Sequence, residues 1–408
     1  MSDLTHTEPL TPLDASMPRT YIRVLLVFEH ASLGVEPIQR LQSGLNTVST
    51  QIPWVAGKIF PKAPAPAGTE KQTPPYPLEI RWDATAATTT PILVDKGTVK
   101  MSYNTQSAQG MPTKTIPDSV WPAPGMIEND LHKAGAPVFA ANFFRFADRG
   151  AGLCVCMHHN VVDGAAFTEI IRLWAKRVAD PGSGGIANGS PPTKIQTRCE
   201  LFSERLPLQA AWLLSTDDLF ARPPEYSRLT PALPEMFHPS TSQLFTTNLH
   251  WINSLKELLR KHISSPPSTN TILCALLWST ITRVRMASNP NTQGVQAQTT
   301  RLITAVNTRQ RLGFPFTIPR LGPFNSRDMT ITSWADFDLY GVDFGECVGG
   351  KPSFVRLPCI EAGGVVIVLP RRRESGDGER LEVVVMLRSD HMERLLRDEM
   401  WQTLTLTA

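Results

Sequence analysis

The sequence predicts an α/β fold in two domains, and three observations predict it. An apolar strand, a polar turn and an amphipathic helix follow one another between residues 153 and 178. A second series of strands and helices begins near residue 243. Between them, the stretch from Asp180 to Thr197 is dominated by Pro, Gly, Ser and other loop formers, the composition of a linker. The 408 residues also exceed what one core of about 100–200 residues accommodates. The expected limits are 1–185 for the first domain, 186–242 for a crossover and 243–408 for the second.

In the first domain, Tyr21 to Phe28 reads as a buried strand, and Ile38, Leu41, Leu45 and Val48 then recur at helical spacing up to Pro53. Pro61 to Pro77 and Ala84 to Thr90 carry the composition of surface loops. Val138 to Phe146 and Leu153 to Met157 read as strands. Phe167, Ile170, Ile171, Trp174 and Val178 mark one face of a helix that starts soon after Gly164. A second irregular stretch, Arg222 to Ser242, extends the linker. Beyond it come a strand over 244–251, a helix over 255–262 and a longer helix over 272–286. Val365 to Pro370 and Leu381 to Leu387 flank Gly376-Asp377-Gly378 as a hairpin, and Met392, Leu395, Leu396 and Met400 mark a final helix.

Composition narrows the function. Hydrophobic residues at 41% and charged residues at 19% describe a folding chain rather than a disordered one. A net charge of +3 with no basic face argues against a nucleic-acid partner. Met1 to Met17 lacks the basic and apolar regions of a secretory signal, and the longest apolar runs, such as Gly364 to Leu369, are too short to span a bilayer. The expected location is the cytoplasm, with no membrane partner. Cys154, Cys156, Cys199, Cys274, Cys347 and Cys359 are scattered through apolar or helical runs, as buried free thiols of a reducing compartment are. The Cys154-Val155-Cys156 pair has no second Cys or His pair at zinc spacing, so no metal site is expected.

The candidate site is His158-His159-Asn160-Val161-Val162-Asp163-Gly164. A histidine at the end of a buried strand is fixed by backbone pairing on one side and open on the other. With an ordinary pKa near 6.5, the His159 imidazole can accept a proton from an attacking hydroxyl and return it to a thiolate. Asp163 falls in the turn that begins the helix, where two roles are open to it. It could hydrogen-bond the imidazole, or it could lock the turn by pairing with an arginine elsewhere.

The chain resembles the BAHD acyltransferases, in particular their fungal trichothecene 3-O-acetyltransferase branch. His159, Asp163 and Gly164 match the His-x-x-x-Asp-Gly motif, preceded by His158. Asp343-Phe344-Gly345 followed by Gly350-Lys351-Pro352 matches the second motif. Softer matches are Pro12-Leu13-Asp14 with Met17-Pro18 and Tyr21, Pro53-Trp54-Val55-Ala56-Gly57, Ala275-Leu276-Leu277-Trp278 and Val306-Asn307-Thr308-Arg309. The resemblance implies two chloramphenicol-acetyltransferase-like domains, each a mixed sheet with flanking helices, and an active-site channel at their interface. His159 is then the general base for direct acyl transfer from acyl-CoA, acetyl-CoA foremost, to a small-molecule alcohol or amine. The acyl-CoA is a co-substrate, no cofactor is permanently bound, and the protein is expected to be a monomer. The resemblance further implies that Asp163 points away from the substrate and pairs with Arg309 or Arg311. Asp343, Phe344 and Gly345 then organise the second domain near the coenzyme, and Lys351 is the candidate coenzyme contact.

Two departures stand out. Glu346-Cys347-Val348 replaces the family's Trp-Gly, which predicts a rebuilt loop. Leu321-Gly322-Pro323-Phe324-Asn325 runs almost directly into Ser326-Arg327-Asp328-Met329 where relatives carry an insert. Either the second domain is trimmed or the gene reading is altered. Arg371-Arg372-Arg373 suits a solvated hairpin better than a phosphate grip, Cys347 is no nucleophile candidate, and Trp278 is expected in the core. The competing functions are condensation-domain-like transfer from a carrier protein, against which the Asp-Phe-Gly and Lys-Pro segment argues, and a non-catalytic relative of the family.

Overall fold

The computed structural model describes residues 5–32, 34–62, 78–83, 91–184, 215, 238–287, 300–305, 328–360, 362–373 and 380–407. They fall into two compact units. The first comprises the described residues up to 184 together with Asp338–Pro358, and the second comprises those of 215–305, 328–337 and 359–407.

The first unit is built on Tyr21–Phe28 (β2) and Ala151–His158 (β8), paired antiparallel over all eight residues from Tyr21↔His158 to Phe28↔Ala151. Every residue of β8 is buried, which explains why it reads as an apolar run without alternation. Strands Thr5–Pro9 (β1), Lys58–Pro61 (β3), Leu78–Asp83 (β4) and Ala136–Pro137 (β6) form a small antiparallel sheet in the order β1-β4-β3-β6. The main sheet runs β12-β2-β8-β7-β5, with Leu93–Thr98 (β5), Phe139–Arg145 (β7) and Phe354–Arg356 (β12). Only its β5/β7 pair is parallel.

Period-2 alternation assigns the two faces of this sheet. Leu25, Val27, Cys154 and Phe144 pack against Tyr103, Met111, Ile116 and Val120 of the covering segment, which includes short helix α3 (Tyr103–Ala108). The opposite face meets α2 (Glu36–Gln51) and α5 (Gly164–Ala179). These helices pack on each other, and the buried Trp174 indole donates to the Leu41 carbonyl at 2.9 Å. Short helices α1 (Pro12–Ala15) and α4 (Asn129–Ala134) complete the unit.

The second unit is a six-stranded sheet in the order β10-β11-β13-β14-β9-β15. Its strands are Ser240–Asn248 (β9), Leu302–Thr304 (β10), Met329–Ser333 (β11), Val365–Val368 (β13), Arg380–Arg388 (β14) and Thr405–Thr407 (β15). The β10/β11 and β11/β13 pairs are parallel and the rest antiparallel, so this sheet is also mixed. Helices α6 (Leu249–Arg260), α7 (Thr269–Met286), α8 (Ser389–Leu396) and α9 (Glu399–Leu404) accompany it, and one cluster joins residues of all four to the sheet. Among the described residues no helix is long and apolar enough to cross a membrane.

Several expectations are corrected. The strand expected over 244–251 ends at Asn248, and Trp251 lies in α6. Trp278 is 37% exposed rather than core, its indole donating to Thr300 Oγ1 at 2.9 Å. On α7 the buried stripe is Leu273, Leu277, Ile281 and Val284, and one residue past Leu277 the helix has turned about 100° away from it. The final helix is two, because Asp398 caps α9 by accepting the Trp401 N–H at 2.9 Å. Cys154, Cys156 and Cys274 are buried thiols, but Cys359 is exposed. The Asn307-to-Asn325 motifs, the hairpin tip, most of the linker and Cys199 lie outside the described residues.

The largest correction concerns Asp343-Phe344-Gly345, which packs in the first unit and not the second. Phe344 is fully buried, edge-on to Phe28 at 5.6 Å and to Trp174 at 5.7 Å. Just beyond, β12 pairs with Leu25 to Val27 on the edge of β2. In the rebuilt loop the Gly345 carbonyl accepts the N–H groups of Val348, Gly349 and Gly350, and Val348 is fully buried. Gly345 has φ +79°, and a Cβ there would lie 3.0 Å from the Ala179 Cα at the end of α5. Gly350, also left-handed at +73°, has space around it. Gly345→Ala is therefore expected to lower stability by more than about 1 kcal/mol, and by more than Gly350→Ala, in urea denaturation. Equal losses would remove the steric role assigned to Gly345.

Candidate active site

β8 delivers two histidines into opposite environments. His158 is its last residue, fully buried on the face shared with Tyr21, whose ring meets it edge-on at 5.5 Å. Its Nδ1 accepts the Asn160 N–H at 3.3 Å, so the proton sits on Nε2, a buried atom without a hydrogen-bond partner among the described residues. Burial, with His132 and His159 nearby, pushes its pKa down to about 3. This imidazole is therefore neutral and enclosed.

His159 extends the ladder by one step, its N–H donating to the Thr20 carbonyl at 2.9 Å. The chain then turns, with the N–H groups of Val161 and Val162 both reaching the His158 carbonyl. The turn brings the Val162 carbonyl to 3.2 Å from His159 Nδ1. A carbonyl oxygen can only accept, so Nδ1 carries the proton and Nε2 holds the lone pair. Burial lowers the His159 pKa below its ordinary 6.5, against the opposing pull of backbone hydrogen bonds and the Asp163 charge. The partly buried ring is thus a neutral base at physiological pH with a defined tautomer.

Asp163 is extended (φ −98°, ψ −179°) and caps α5, its Oδ1 accepting the Ala166 N–H at 2.8 Å. Its carboxylate also complements the positive end of the helix. Gly164 opens the helix, and its carbonyl accepts the Thr168 hydroxyl at 2.8 Å. The motif's spacing therefore encodes strand end, histidine, turn and cap in succession. Arg309 and Arg311, the expected partners of Asp163, lie outside the described residues.

The structure brings His158, His159, Asp163 and Gly164 together, but not Asp343, Phe344 and Gly345. Gly345 abuts Ala179, and the 16 residues of α5 at 1.5 Å each set it about 24 Å from the cap. Lys351 is exposed on the same loop. Two features escaped the sequence reading. The Val162 carbonyl is a backbone group with no side-chain signature. Asn160, buried and bonded to Asp14 and Met17, was visible only as one polar residue among several in the turn.

Two predictions follow from this geometry. Asp163→Ala removes the cap and is expected to cost about 1 kcal/mol in urea denaturation, whereas Asp163→Asn keeps an acceptor and most of that stability. For His158, the unfolded chain takes up protons below pH 6.5 while the folded imidazole stays neutral to about pH 3. Stability is therefore lost as pH falls through that window. His158→Gln should flatten this part of the stability profile; an unchanged slope would contradict the assignment.

Two family models match the chain: the trichothecene 3-O-acetyltransferase-like N-terminal domain over residues 20–177 and the transferase family over residues 125–320. O-acetyltransferase ptmV of Penicillium ochrochloron is 22% identical, with 98% of this chain and 96% of the relative covered. That comparison extends over 494 positions, more than the 408 residues present, so the relative carries residues this chain lacks. Trichothecene 8-O-acetyltransferase of Fusarium sporotrichioides is 22% identical, with 97% of each covered. Among solved structures, F. sporotrichioides TRI101 complexed with coenzyme A and T-2 has a TM-score of 0.69 at 19% identity, covering 98% of this chain and 99% of the other. Vinorine synthase has a TM-score of 0.60 at 13% identity, covering 97% and 93%. The fold is the two-domain α/β fold of these proteins, as the sequence resemblance implied.

Proposed function

On the strength of the family models that match residues 20–177 and 125–320, we propose that this chain is an acyl-CoA-dependent O-acetyltransferase of the transferase family acting on a small molecule, with His159 as general base. The observation that carries the reading is the 3.2 Å contact between His159 Nδ1 and the Val162 carbonyl, which leaves Nε2 to take a proton. The named relatives supply the reaction class: they are O-acetyltransferases, one of them a trichothecene 8-O-acetyltransferase, and related crystal structures contain coenzyme A with T-2 or deoxynivalenol.

In the proposed reaction the acceptor oxygen attacks the thioester carbonyl carbon of acetyl-CoA while His159 Nε2 takes its proton. The tetrahedral intermediate collapses, the C–S bond breaks, and the imidazolium returns the proton to the departing thiolate. Product ester and free coenzyme A leave, and no covalent acyl-enzyme forms. Asp163 acts as a brace for the turn and not as a relay. Exposed Lys351 is available to a coenzyme phosphate. An alcohol is favoured over an amine by the relatives' names. The chain works as a monomer in the cytoplasm.

The test is release of free thiol from acetyl-CoA with a panel of polycyclic alcohols. His159→Ala is expected to reduce it by about a hundredfold or more, and equal rates in the two proteins would sink the proposal. Because the burial-lowered base is disabled only by protonation, kcat/KM should rise with pH through an inflection below 6.5 and be level above it.

A further inference from the structure

We propose that Asn160 is a positioning residue for His159, clamping the segment from Asp14 to Thr20 against the catalytic turn and so fixing where the imidazole stands. The proposal rests on the reading of His159 as the base. Asn160 is buried, and its Nδ2 donates to two backbone carbonyls, Asp14 at 2.6 Å and Met17 at 2.9 Å. Both neighbours are acceptors, so the amide group must face them, and Oδ1, itself buried, has no hydrogen-bond partner among the described residues.

One residue earlier, the His159 N–H holds the Thr20 carbonyl of the same segment at 2.9 Å. Segment and turn are therefore joined at three points within two residues of the turn, and Asn160 supplies two of them. The segment is stiff enough to serve as an anchor. The Asp14 carboxylate accepts both the N–H and the hydroxyl of Thr11, at 3.0 and 2.8 Å. The Arg19 carbonyl accepts the Ile127 N–H at 3.0 Å.

Position explains the effect on His159. Asn160 lies between His159 and Val162, the two ends of the contact that sets the tautomer. Its own N–H is held by His158 Nδ1 at 3.3 Å, so backbone and side chain pin the middle of the turn from opposite sides. Without the side-chain clamp, the middle of the turn can relax and withdraw the Val162 carbonyl from Nδ1. The Nδ1 proton then keeps only the His159 backbone contact, and a shift of tautomer toward Nε2, which blocks base catalysis, becomes easier.

The test uses the full-length chain with 15N-labelled histidine. In the native protein the His159 ring nitrogens should report a single tautomer protonated at Nδ1. Asn160→Ala is expected to give a mixture of tautomers and, with any acceptor supporting His159-dependent thiol release, a fall in kcat of about tenfold or more at a nearly constant KM for acetyl-CoA. Asn160→Ser, which keeps one donor, should lie between. A folded Asn160→Ala protein with the native tautomer and kcat within about twofold of native overturns the proposal. So does a kcat loss matched by an equal loss of coenzyme A affinity, or failure of both variants to fold, since each makes the contact purely architectural. The NMR signature needs no turnover, so the clamp can be judged even where the acyltransfer reading itself fails.

Discussion

Everything described for the first unit depends on the eight-residue pairing of β2 with β8. That ladder continues one hydrogen bond beyond the last strand residue, from His159 to Thr20, so the position of His159 is fixed by sheet geometry. The alternation of side chains then divides the two adjacent histidines. His158 joins Tyr21 on the covered face and is held neutral by burial, while His159, one residue on, enters the turn and meets the Val162 carbonyl. Two identical side chains acquire different chemistry from a change of face and a change of hydrogen-bond partner.

Helix α5 transmits this order through the unit. Asp163 satisfies a free N–H at its beginning, Trp174 ties its middle to α2, and Phe344 with Gly345 closes over its end. The two sequence motifs thus act on opposite ends of one helix. The first makes the site; the second steadies the helix from which the site projects. A glutamate-cysteine-valine run can replace the family's Trp-Gly because the Gly345 carbonyl gathers three successive N–H groups and Val348 fills the interior.

What was legible in the sequence was what local physics dictates. β2, β8 and α5 were readable from buried runs and helical periodicity, and the turn between them from its polar residues. The small β1-β4-β3-β6 sheet was not, because its strands are two to six residues long and pair with distant partners. Trp278 was misplaced because a helix rich in apolar residues on several faces leaves its core stripe ambiguous, and the break before α9 because Asp398 reads as a surface charge until its capping bond is seen. The location of Asp343-Phe344-Gly345 could not be read locally either. It is fixed by β12 pairing with a strand more than 300 residues earlier, as the Ser353 hydroxyl bond to the Val27 carbonyl, 326 residues away, illustrates. The site's histidine and cap were visible in the motif, but its tautomer was set by a backbone carbonyl that no residue pattern records.

The return of β12 to the edge of β2 makes the chain resistant to dissection. A fragment cut at the linker would hold the motif histidines but would leave Leu25 to Val27 as an open, apolar edge and would strip Phe344 from between Phe28 and Trp174. Such an edge is a template for pairing with another copy, so the isolated half should aggregate rather than fold. Chimeras between relatives would therefore have to exchange residues 338–358 together with the amino-terminal half, and a crossover placed by linear order alone would mismatch the sheet at the pairing of β12 with β2.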